Sequence, residues 1–503
     1  MIRAGWSRYS NLPLRIEIRA MDLNNNLDLL FNPGSVAVIG ASNTPGKWGF
    51  GILSHLLAKG SREVYAVSKN GGEVVGIKAF RSLRDVPRPV DVVVIVTPVP
   101  DVPAAMEDCV YKGVKFAIII TGGFAESSGE GARIEREVTE IARRGGIRIV
   151  GPNCMGHFDT ATDLFTLPFA MPVRKGAVTI LSQSGNSGLS MLNMGWTMGL
   201  GYGKYINSGN EADLHYEDFL EYLADDDKTR VILGYIEGLR EGKRFLKLAS
   251  EVTQKKPFVV LKAGRTGDGA RAARSHTAAL AGSEVISDAA FKQAGVIRVG
   301  EIGELVDTGV ALLGQPLPRG RRVGVLTMGG GLGVIATDAL VEQGLELARL
   351  TPATLEKLDS FLASRWSHGN PVDPGGTHIV YPCIWALLDD ANVDALLVID
   401  GVGMVGGLTG LMNILPVVKD KCARHLDASR REELVDIKRM LELMKERQKP
   451  VVLANMVSPP IKDSVVWGKL RESYILPYPT LERATKALAR LTEYSGYRGV
   501  ARR

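Results

Sequence analysis

Cysteine is scarce in this chain of 503 residues, and no two cysteines stand in a CxxC arrangement. The four are Cys109, Cys154, Cys383 and Cys422. They exclude a cysteine-based zinc site and give no disulfide framework, which favours a reducing, cytoplasmic location. Long apolar runs are also missing, since none approaches the ~18–20 residues that a membrane span requires. With 45% hydrophobic residues the chain can still build several cores, and at ~150 residues per domain three or four are expected.

Excess positive charge is confined to the two ends of the chain. The formal net charge is +6, and the first twenty and the last ten residues contribute +3 each, so the body sums to zero. The N-terminal charges are Arg3, Arg8, Arg15 and Arg19 against Glu17, and the C-terminal ones are Arg498, Arg502 and Arg503. Nucleic-acid binding needs a basic face on the fold, so no nucleic-acid partner is expected. Residues 1–20 lack the apolar core of a signal peptide, and because they are rich in arginine and poor in acids they weakly resemble a transit peptide. We favour the interpretation of 1–26 as an extension without a function of its own.

From Ser35 onward, apolar strands, glycine-containing turns and amphipathic helices alternate. Continuous apolar strands separated by helices predict parallel sheets covered on both faces. The first α/β unit, residues 27–155, closes at a Gly-Pro-Asn turn at 151–153. Its predicted strands are Ser35–Gly40, Glu63–Val67, Asp91–Val96, Lys115–Thr121 and Ile147–Val150.

Two further units, 156–318 and 319–503, follow and resemble each other. The second has predicted strands Ala177–Leu181, Gly201–Ile206, Arg230–Ile236, Pro257–Lys262 and Val296–Val299, and the third has Arg322–Leu326, Asp394–Asp400 and Pro450–Asn455. The first of these strands in each unit is followed by a hydroxyl residue (Ser182 or Thr327), a glycine-rich turn and a helix, which predicts a duplicated flavodoxin-like module. The charged stretch Asp427–Arg447 is interpreted as an added surface helix.

A turn of small residues, Gly40–Gly49, follows the first strand and opens a helix. Small residues let backbone N–H groups approach a phosphate, and the helix N-terminus adds positive potential. An NAD site would place a carboxylate after the second strand, whereas this chain has Ser68, Lys69 and Asn70 there. A basic residue suits an additional phosphate, so NADP or coenzyme A is expected at this turn.

Three segments of the second unit carry candidate chemistry. His276 stands in a long loop of small residues with arginines upstream, which would leave a neutral imidazole accessible as a nucleophile. The turn Ser184-Gly185-Asn186 joins a strand to a helix, a geometry that binds phosphoryl groups. Glu237 ends a buried strand, where a carboxylate can hold the second nitrogen of an active-site histidine, although acids at helix N-termini are also common. The other histidines show no HxxxH or HExxH spacing, so no metal site is expected.

Taken together, these segments resemble the nucleoside-diphosphate-forming acyl-CoA synthetases, such as the α subunit of ADP-forming acetate–CoA ligase, and the related succinyl-CoA synthetase α subunit. The resemblance runs from about residue 27 to residue 497. The motifs that carry it are LFNPGSVAVIGAS (30–42), TGGFAE (121–126), GPNCMG (151–156), SQSGNSG (182–188), SGNEAD (208–213), SHTAALAG (275–282) and GNPVD (369–373).

The resemblance implies a CoA-binding Rossmann-like domain followed by two flavodoxin-like domains. It also implies that acyl-CoA and phosphate give an acyl phosphate, and that the phosphoryl group then passes through His276 to a nucleoside diphosphate. In this scheme Ser184, Gly185 and Asn186 hold the phosphoryl group, and Glu237 orients His276. Gly40, Ser42, Lys47 and Lys69 are the expected CoA residues.

Two features set this chain apart. The family pattern after the second strand is Val-Asn-Pro-Lys, whereas here Lys69 comes one place earlier, which in an extended segment turns its side chain to the opposite face. The three units also leave no room for a nucleotide-grasping module. A separate ATP-grasp β subunit would therefore supply the Mg-nucleotide, and the chain is expected to be the α subunit of a hetero-oligomer that acts on a small carboxylic acid or its acyl-CoA.

A non-catalytic CoA or acyl-CoA sensor is the competing interpretation. A sensor does not need an exposed histidine beside a phosphate-binding turn, so the position of His276 relative to Ser184 separates the two interpretations. A third alternative, an NADP-dependent dehydrogenase, is disfavoured because no proton-relay residues accompany the first glycine turn.

Overall fold

Three mainly parallel β-sheets follow one another along the described chain. A computed structural model describes residues 27–269, 271, 284–364, 366–375, 379–403, 419–457 and 465–500. Within these ranges, every helix is too short or too polar to span a membrane. Most predicted strands are present to within a residue or two, because each is a continuous apolar run that the structure buries on both faces.

The first sheet has seven strands in the order β3-β4-β2-β1-β5-β6-β7. The strands are β1 Ser35–Ile39, β2 Glu63–Val67, β3 Gly72–Val74, β4 Ile77–Phe80, β5 Val92–Ile95, β6 Phe116–Ile119 and β7 Arg148–Val150. The helices are α1 Trp48–Lys59, α2 Val102–Lys112 and α3 Gly129–Gly145, with 3-10 turns at Leu83–Asp85 and Val99–Asp101. Without the antiparallel β3, the order is that of a Rossmann fold, whose ligand crevice lies between β1 and β5.

The second sheet has the order β14-β13-β12-β10-β11-β8-β9. The strands are β8 His157–Asp159, β9 Leu164–Phe165, β10 Lys175–Ser182, β11 Tyr202–Asn207, β12 Val231–Ile236, β13 Phe258–Lys262 and β14 Ile297–Val299. The helices are α4 Gly185–Met198, α5 Tyr216–Asp225, α6 Gly242–Lys255, α7 Glu284–Gln293 and α8 Ile302–Gly314. Strands β10 to β14 take the flavodoxin-like order, whose switch point lies between β10 and β12. The antiparallel pair β8–β9 at the edge was not predicted.

The third sheet is smaller, with four parallel strands in the order β16-β15-β17-β18. These are β15 Arg322–Thr327, β16 Glu346–Leu347, β17 Ala395–Ile399 and β18 Val451–Ala454. The helices are α9 Gly330–Glu342, α10 Pro352–Asp359, α11 Val380–Asp389, α12 Lys419–Arg447, α13 Val465–Glu472 and α14 Leu481–Tyr497. The strand order repeats the start of the second sheet, as the duplicated-module interpretation predicts.

The interpretation of Asp427–Arg447 as an added surface helix was wrong. This stretch belongs to α12, which connects β17 to β18 and packs on α11 and α13. Its apolar side chains Ile437, Met440, Leu443 and Met444 are buried in the core of the third unit. Helix α12 is therefore a crossover helix of the sheet, and its charged residues lie mostly on the outward face, apart from the buried Glu433.

Polar contacts stabilise the second unit in two places, at its border with the third unit and in its own interior. The last helix, α14, packs on α8 of the second unit and on α9 of the third, and Arg483 donates two hydrogen bonds of 2.7 Å to the buried Asp307 carboxylate. Inside the second unit, the buried Lys204 ammonium lies 2.7 Å from Asp226 and 3.3 Å from Asp159. Apolar side chains of the second and third units also form one continuous hydrophobic core.

Candidate active site

The first candidate region is a cavity of about 830 Å³ at the carboxyl ends of β1, β2 and β5. All four residues expected to contact CoA line it: Gly40, Ser42, Lys47 and Lys69. Gly40 has φ +94°, and a Cβ atom on Gly49 would lie 2.1 Å from the Gly40 carbonyl oxygen. The start of α1 therefore packs directly against the end of β1, and its N-terminus adds positive potential beside the cavity.

Lys69 reaches this cavity despite its shifted position in the sequence. Its ammonium lies 2.8 Å from the Asp101 carboxylate, and its side chain is 75% exposed. Lys47 precedes α1 and is exposed at the same opening. The cavity thus offers an unobstructed lysine and a lysine that is already paired with a carboxylate, and both are placed to meet an anionic ligand.

The second candidate region is the turn between β10 and α4. Ser184 is the N-cap of α4, and its hydroxyl accepts a hydrogen bond from the Ser187 N–H at 3.4 Å. Gly185 and Asn186 begin the helix, so their N–H groups have no partner within it. Two side chains hold the backbone of this turn in place. Ser182 Oγ donates to the Ser184 carbonyl oxygen at 2.6 Å, and the Asn207 amide donates to the carbonyls of residues 182 and 183.

Glu237 lies beside this turn, across the switch point of the second sheet. Strands β10 and β12 are direct neighbours with Ser182 opposite Tyr235, and Glu237 follows two residues later. The Gln183 side-chain oxygen accepts hydrogen bonds from the N–H groups of Glu237 at 2.6 Å and Gly238 at 3.0 Å. Burial and the nearby Glu237 carboxylate raise the pKa of Tyr235. The turn and the carboxylate that the sequence singled out are thus joined by one side chain.

His276 lies outside the described residues, so its contact with Glu237 stays a prediction. The chain does enter the histidine loop next to Glu237. Lys262 ends β13, and its ammonium donates to the carbonyl oxygens of Glu237 and Ala263, both at 2.7 Å. The Ala263 N–H in turn donates to the Ile236 carbonyl at 2.9 Å. Burial lowers the pKa of Lys262.

A group of acidic side chains lines the junction between the first and second units. Glu211 is buried and accepts hydrogen bonds from Gln183 Nε2 at 2.9 Å and Ser208 Oγ at 2.7 Å. Burial raises the pKa of Glu211 to about 7. The Asn210 amide bridges to the first unit, donating to Glu126 at 2.6 Å and to Glu135 at 3.0 Å. The SGNEAD motif therefore holds the two units together beside the phosphate-binding turn.

The third unit repeats the turn of the second. Thr327 Oγ1 donates to the Gly329 carbonyl at 2.9 Å, in the way that Ser182 does in the second unit. The GNPVD segment lies beside it, and Asn370 pairs its amide with the backbone of Val323, Val325 and Ala348. Asn370 thus has a structural role beside this turn.

Sequence reasoning missed three residues that organise the site, namely Gln183, Glu211 and Lys262. Two of them stand inside motifs that were quoted, but their partners lie far along the chain, and no local pattern shows the contact. The expectation that no metal is bound remains a prediction. In the ranges that the structure describes, no group of three or more His, Cys, Asp or Glu side chains is suited to a metal ion.

Comparison with protein families gives two matches. Residues 34–158 match the family described as CoA binding domain, and residues 175–312 match the succinyl-CoA ligase like flavodoxin domain. The first match contains the cavity of the first unit, and the second contains the Ser184 turn, Glu237 and His276.

Full-length relatives also exist. The chain is 38% identical over 488 residues to the acetate–CoA ligase (ADP-forming) I subunit alpha of Pyrococcus furiosus, covering 94% of this chain and 98% of the relative. It is 42% identical over 386 residues to the II subunit alpha of that organism, covering 76% and 84%. Among solved structures, the dinucleotide forming acetyl-coenzyme A synthetase 1 of Ca. Korarchaeum cryptofilum, in complex with phosphate and ADP, aligns with a TM-score of 0.80 at 33% identity over 95% of this chain and 98% of that one.

Proposed function

The chain belongs to the family of ADP-forming acetate–CoA ligase α subunits, and from that premise we propose the reaction that it catalyses. This membership confirms the resemblance drawn from the motifs, and it favours the enzyme over the non-catalytic sensor. The chain is an acid–thiol ligase that interconverts acyl-CoA, phosphate and a nucleoside diphosphate with a carboxylic acid, CoA and a nucleoside triphosphate.

The proposed chemistry runs in two phosphoryl-transfer steps after the thioester is cleaved. Phosphate attacks the acyl carbon of acyl-CoA, the carbon–sulfur bond breaks, and CoA leaves as the thiol while an acyl phosphate forms. A nitrogen of His276 then takes the phosphoryl group, which releases the carboxylic acid. Finally the phosphohistidine transfers the group to a nucleoside diphosphate and regenerates the free imidazole.

Each proposed role follows from a position described above. The α1 N-terminus with Gly40, Ser42, Lys47 and Lys69 meets the CoA phosphates. The N–H groups and hydroxyl of Ser184, Gly185 and Asn186 hold the transferred phosphoryl group, and they do so without reorganisation because the turn is already fixed by the side chains beneath it. The Glu237 carboxylate fixes the ring of His276 from behind.

One observation carries the proposal. The phosphate-binding turn, Glu237 and the entrance to the histidine loop meet at the switch point of one sheet, where open α/β sheets bind their ligands. A sensor would gain nothing from this arrangement, whereas phosphoryl transfer requires donor, carrier and carboxylate together.

We further propose an ATP-grasp β subunit as the partner that supplies the Mg-nucleotide, which makes the native enzyme a hetero-oligomer. The α-subunit names of the relatives support a second subunit in general. The described cysteines Cys109, Cys154 and Cys383 carry free, buried thiols, which is consistent with the proposed cytoplasmic location.

Radioactive labelling tests the phosphohistidine. The full chain, in the complex recovered from its native cells, is incubated with acetyl-CoA and [32P]phosphate, and the labelled residue is mapped. We expect an acid-labile, base-stable label on His276 that the His276→Ala variant loses, while CoA titration of the variant stays unchanged because CoA meets another domain. A label on another residue, or full activity of the alanine variant, contradicts the mechanism.

A further inference from the structure

Gln183 uses the full hydrogen-bonding capacity of its side chain at one place. The amide oxygen accepts from the N–H groups of Glu237 and Gly238, at 2.6 and 3.0 Å. The amide nitrogen donates to the Gly238 carbonyl at 2.7 Å and to the Glu211 carboxyl at 2.9 Å. A glutamine with both acceptor sites and both donor protons engaged has one orientation and no freedom to flip.

Side chains from both neighbouring segments hold the backbone of Glu237 and Gly238 in place. The Gln183 side chain forms hydrogen bonds with the Glu237 N–H and with the N–H and carbonyl of Gly238. The buried Lys262 ammonium donates to the Glu237 carbonyl. Gln183 directly follows β10 and Lys262 ends β13, and these two strands flank β12 on either side. Glu237 is thus clamped between them just where its strand has ended and sheet pairing no longer fixes it.

Glu211 is the remaining hydrogen-bond partner of the Gln183 side chain. It is 3% exposed, and its carboxyl accepts from Gln183 Nε2 and from Ser208 Oγ. The other charged groups near it are Glu217 and Arg240. The Glu211 carboxyl accepts a hydrogen bond, and only the amide nitrogen of Gln183 can donate one. Glu211 therefore selects the orientation in which the amide oxygen of Gln183 faces Glu237.

We propose that Gln183 is a positioning residue for the phosphoryl-transfer step, and that Glu211 sets its orientation. This inference rests on the proposed function, because it assigns Gln183 the task of holding Glu237 at a fixed place relative to the Ser184–Asn186 turn. The turn itself does not depend on the Gln183 side chain, since Ser182 and Asn207 fix it independently. Loss of the amide should therefore free Glu237 while the phosphate-binding turn stays formed.

The test is the rate of 32P incorporation from acetyl-CoA and inorganic [32P]phosphate into the full chain in its native complex. Gln183→Leu should slow labelling about 10–100-fold, the usual effect of removing a group that orients an active-site side chain. The affinity for CoA should not change. The matched control is Gln315→Leu, because the amide of Gln315 bridges the N–H and carbonyl of Val451 in a similar way but far from the site. It should label at the wild-type rate.

Two further variants separate positioning from general stability. Gln183 acts through Glu237, so the double variant Gln183→Leu/Glu237→Gln should label no more slowly than Glu237→Gln alone. Gln183→Glu keeps the acceptor, but its contact with Glu211 needs a proton on one of the two facing carboxyls, so its rate relative to wild type should rise as the pH falls. Adding Glu211→Gln to that variant restores a donor opposite the new carboxylate and should recover part of the rate at alkaline pH.

The outcomes distinguish the two proposals. If wild type is not labelled on His276, the proposed function fails and this inference fails with it. If wild type is labelled but Gln183→Leu is labelled equally fast, or is slowed no more than Gln315→Leu, the proposed function stands and Gln183 is not a positioning residue. Additive losses in the double variant would also overturn it, because they would show that Gln183 acts independently of Glu237.

Discussion

The buried carboxyl of Glu211 should make the stability of the protein depend on pH in a way that one substitution removes. Burial raises its pKa from 4.5 to about 7. This difference makes the folded state favour the protonated carboxyl by about 3 kcal/mol. Because the folded pKa is the higher one, the contribution is fully present below pH 4.5 and is lost as the pH rises through about 7.

Glu211→Gln replaces the carboxyl by a neutral group of the same shape that still accepts from Gln183 and Ser208. We expect the variant to match wild type near pH 4.5, the ordinary pKa of this carboxyl, and to be more stable than wild type by up to about 3 kcal/mol well above pH 7. At about 2.1 cal/mol/K of unfolding entropy per residue, a chain of 503 residues that unfolds as one unit should show a rise of roughly 3 °C in the unfolding midpoint. Thermal unfolding of the full chain across this pH range, read as the difference between variant and wild type, measures it.

The Glu126→Gln variant is a control, because its stability relative to wild type should change with pH in the opposite direction. Burial opposes the ionisation of Glu126, but hydrogen bonds from Asn210 and from backbone N–H groups outweigh it and lower its pKa. Its stabilisation is therefore present at neutral pH and is lost in acid, so this variant should be less stable than wild type at alkaline pH. If the difference between Glu211→Gln and wild type is the same at every pH, the Glu211 carboxyl has the same pKa in the folded and unfolded protein, and the reasoning from its burial is refuted.

Three further predictions concern the CoA cavity and the core. Lys47→Ala should weaken CoA binding in calorimetry by about tenfold or more, since it removes a charged donor at the cavity opening, whereas Lys59→Ala at the other end of α1 should not; equal affinities would contradict a role for Lys47. Gly49→Ala should cost about 1–3 kcal/mol in urea unfolding and impair CoA binding, because its new methyl group meets the Gly40 carbonyl; unchanged stability would contradict this close approach. Lys204→Met should cost roughly 3–5 kcal/mol in urea unfolding, because it leaves two buried aspartates without their cation; a neutral effect would show that water reaches them.

The sheets could be predicted because their strands are continuous apolar runs, and the turns because their small residues directly follow those runs. Val92–Ile95 needs no knowledge of its neighbours to be recognised as a buried strand. The pair β8–β9 could not be found in this way. These strands have three and two residues, and only the long-range pairing of His157–Asp159 with Lys204–Ile206 makes β8 part of the sheet.

Helix α12 shows how composition can mislead. Its charged residues dominate the average hydropathy, which favours a surface position, yet Ile437, Met440 and Met444 recur at helical spacing and form the buried stripe. The period of the apolar residues was the better guide than their number. In the site, the Ser184 turn and Glu237 were predictable from the strands that they follow. Gln183 was not, because its main-chain partners lie 54 and 55 residues away.

The position of α14 limits how this chain can be divided. The helix spans the last part of the sequence, yet it packs on α8 of the second unit and on α9 of the third, and its Tyr494 hydroxyl donates to the Thr253 carbonyl at 2.8 Å. Removal of α14 by a protease or by a stop codon ahead of Leu481 would therefore expose apolar surface on both the second and the third unit. A fragment that contains only the second unit would expose an apolar face and aggregate, so the histidine loop has to be studied in a chain that extends through Tyr497.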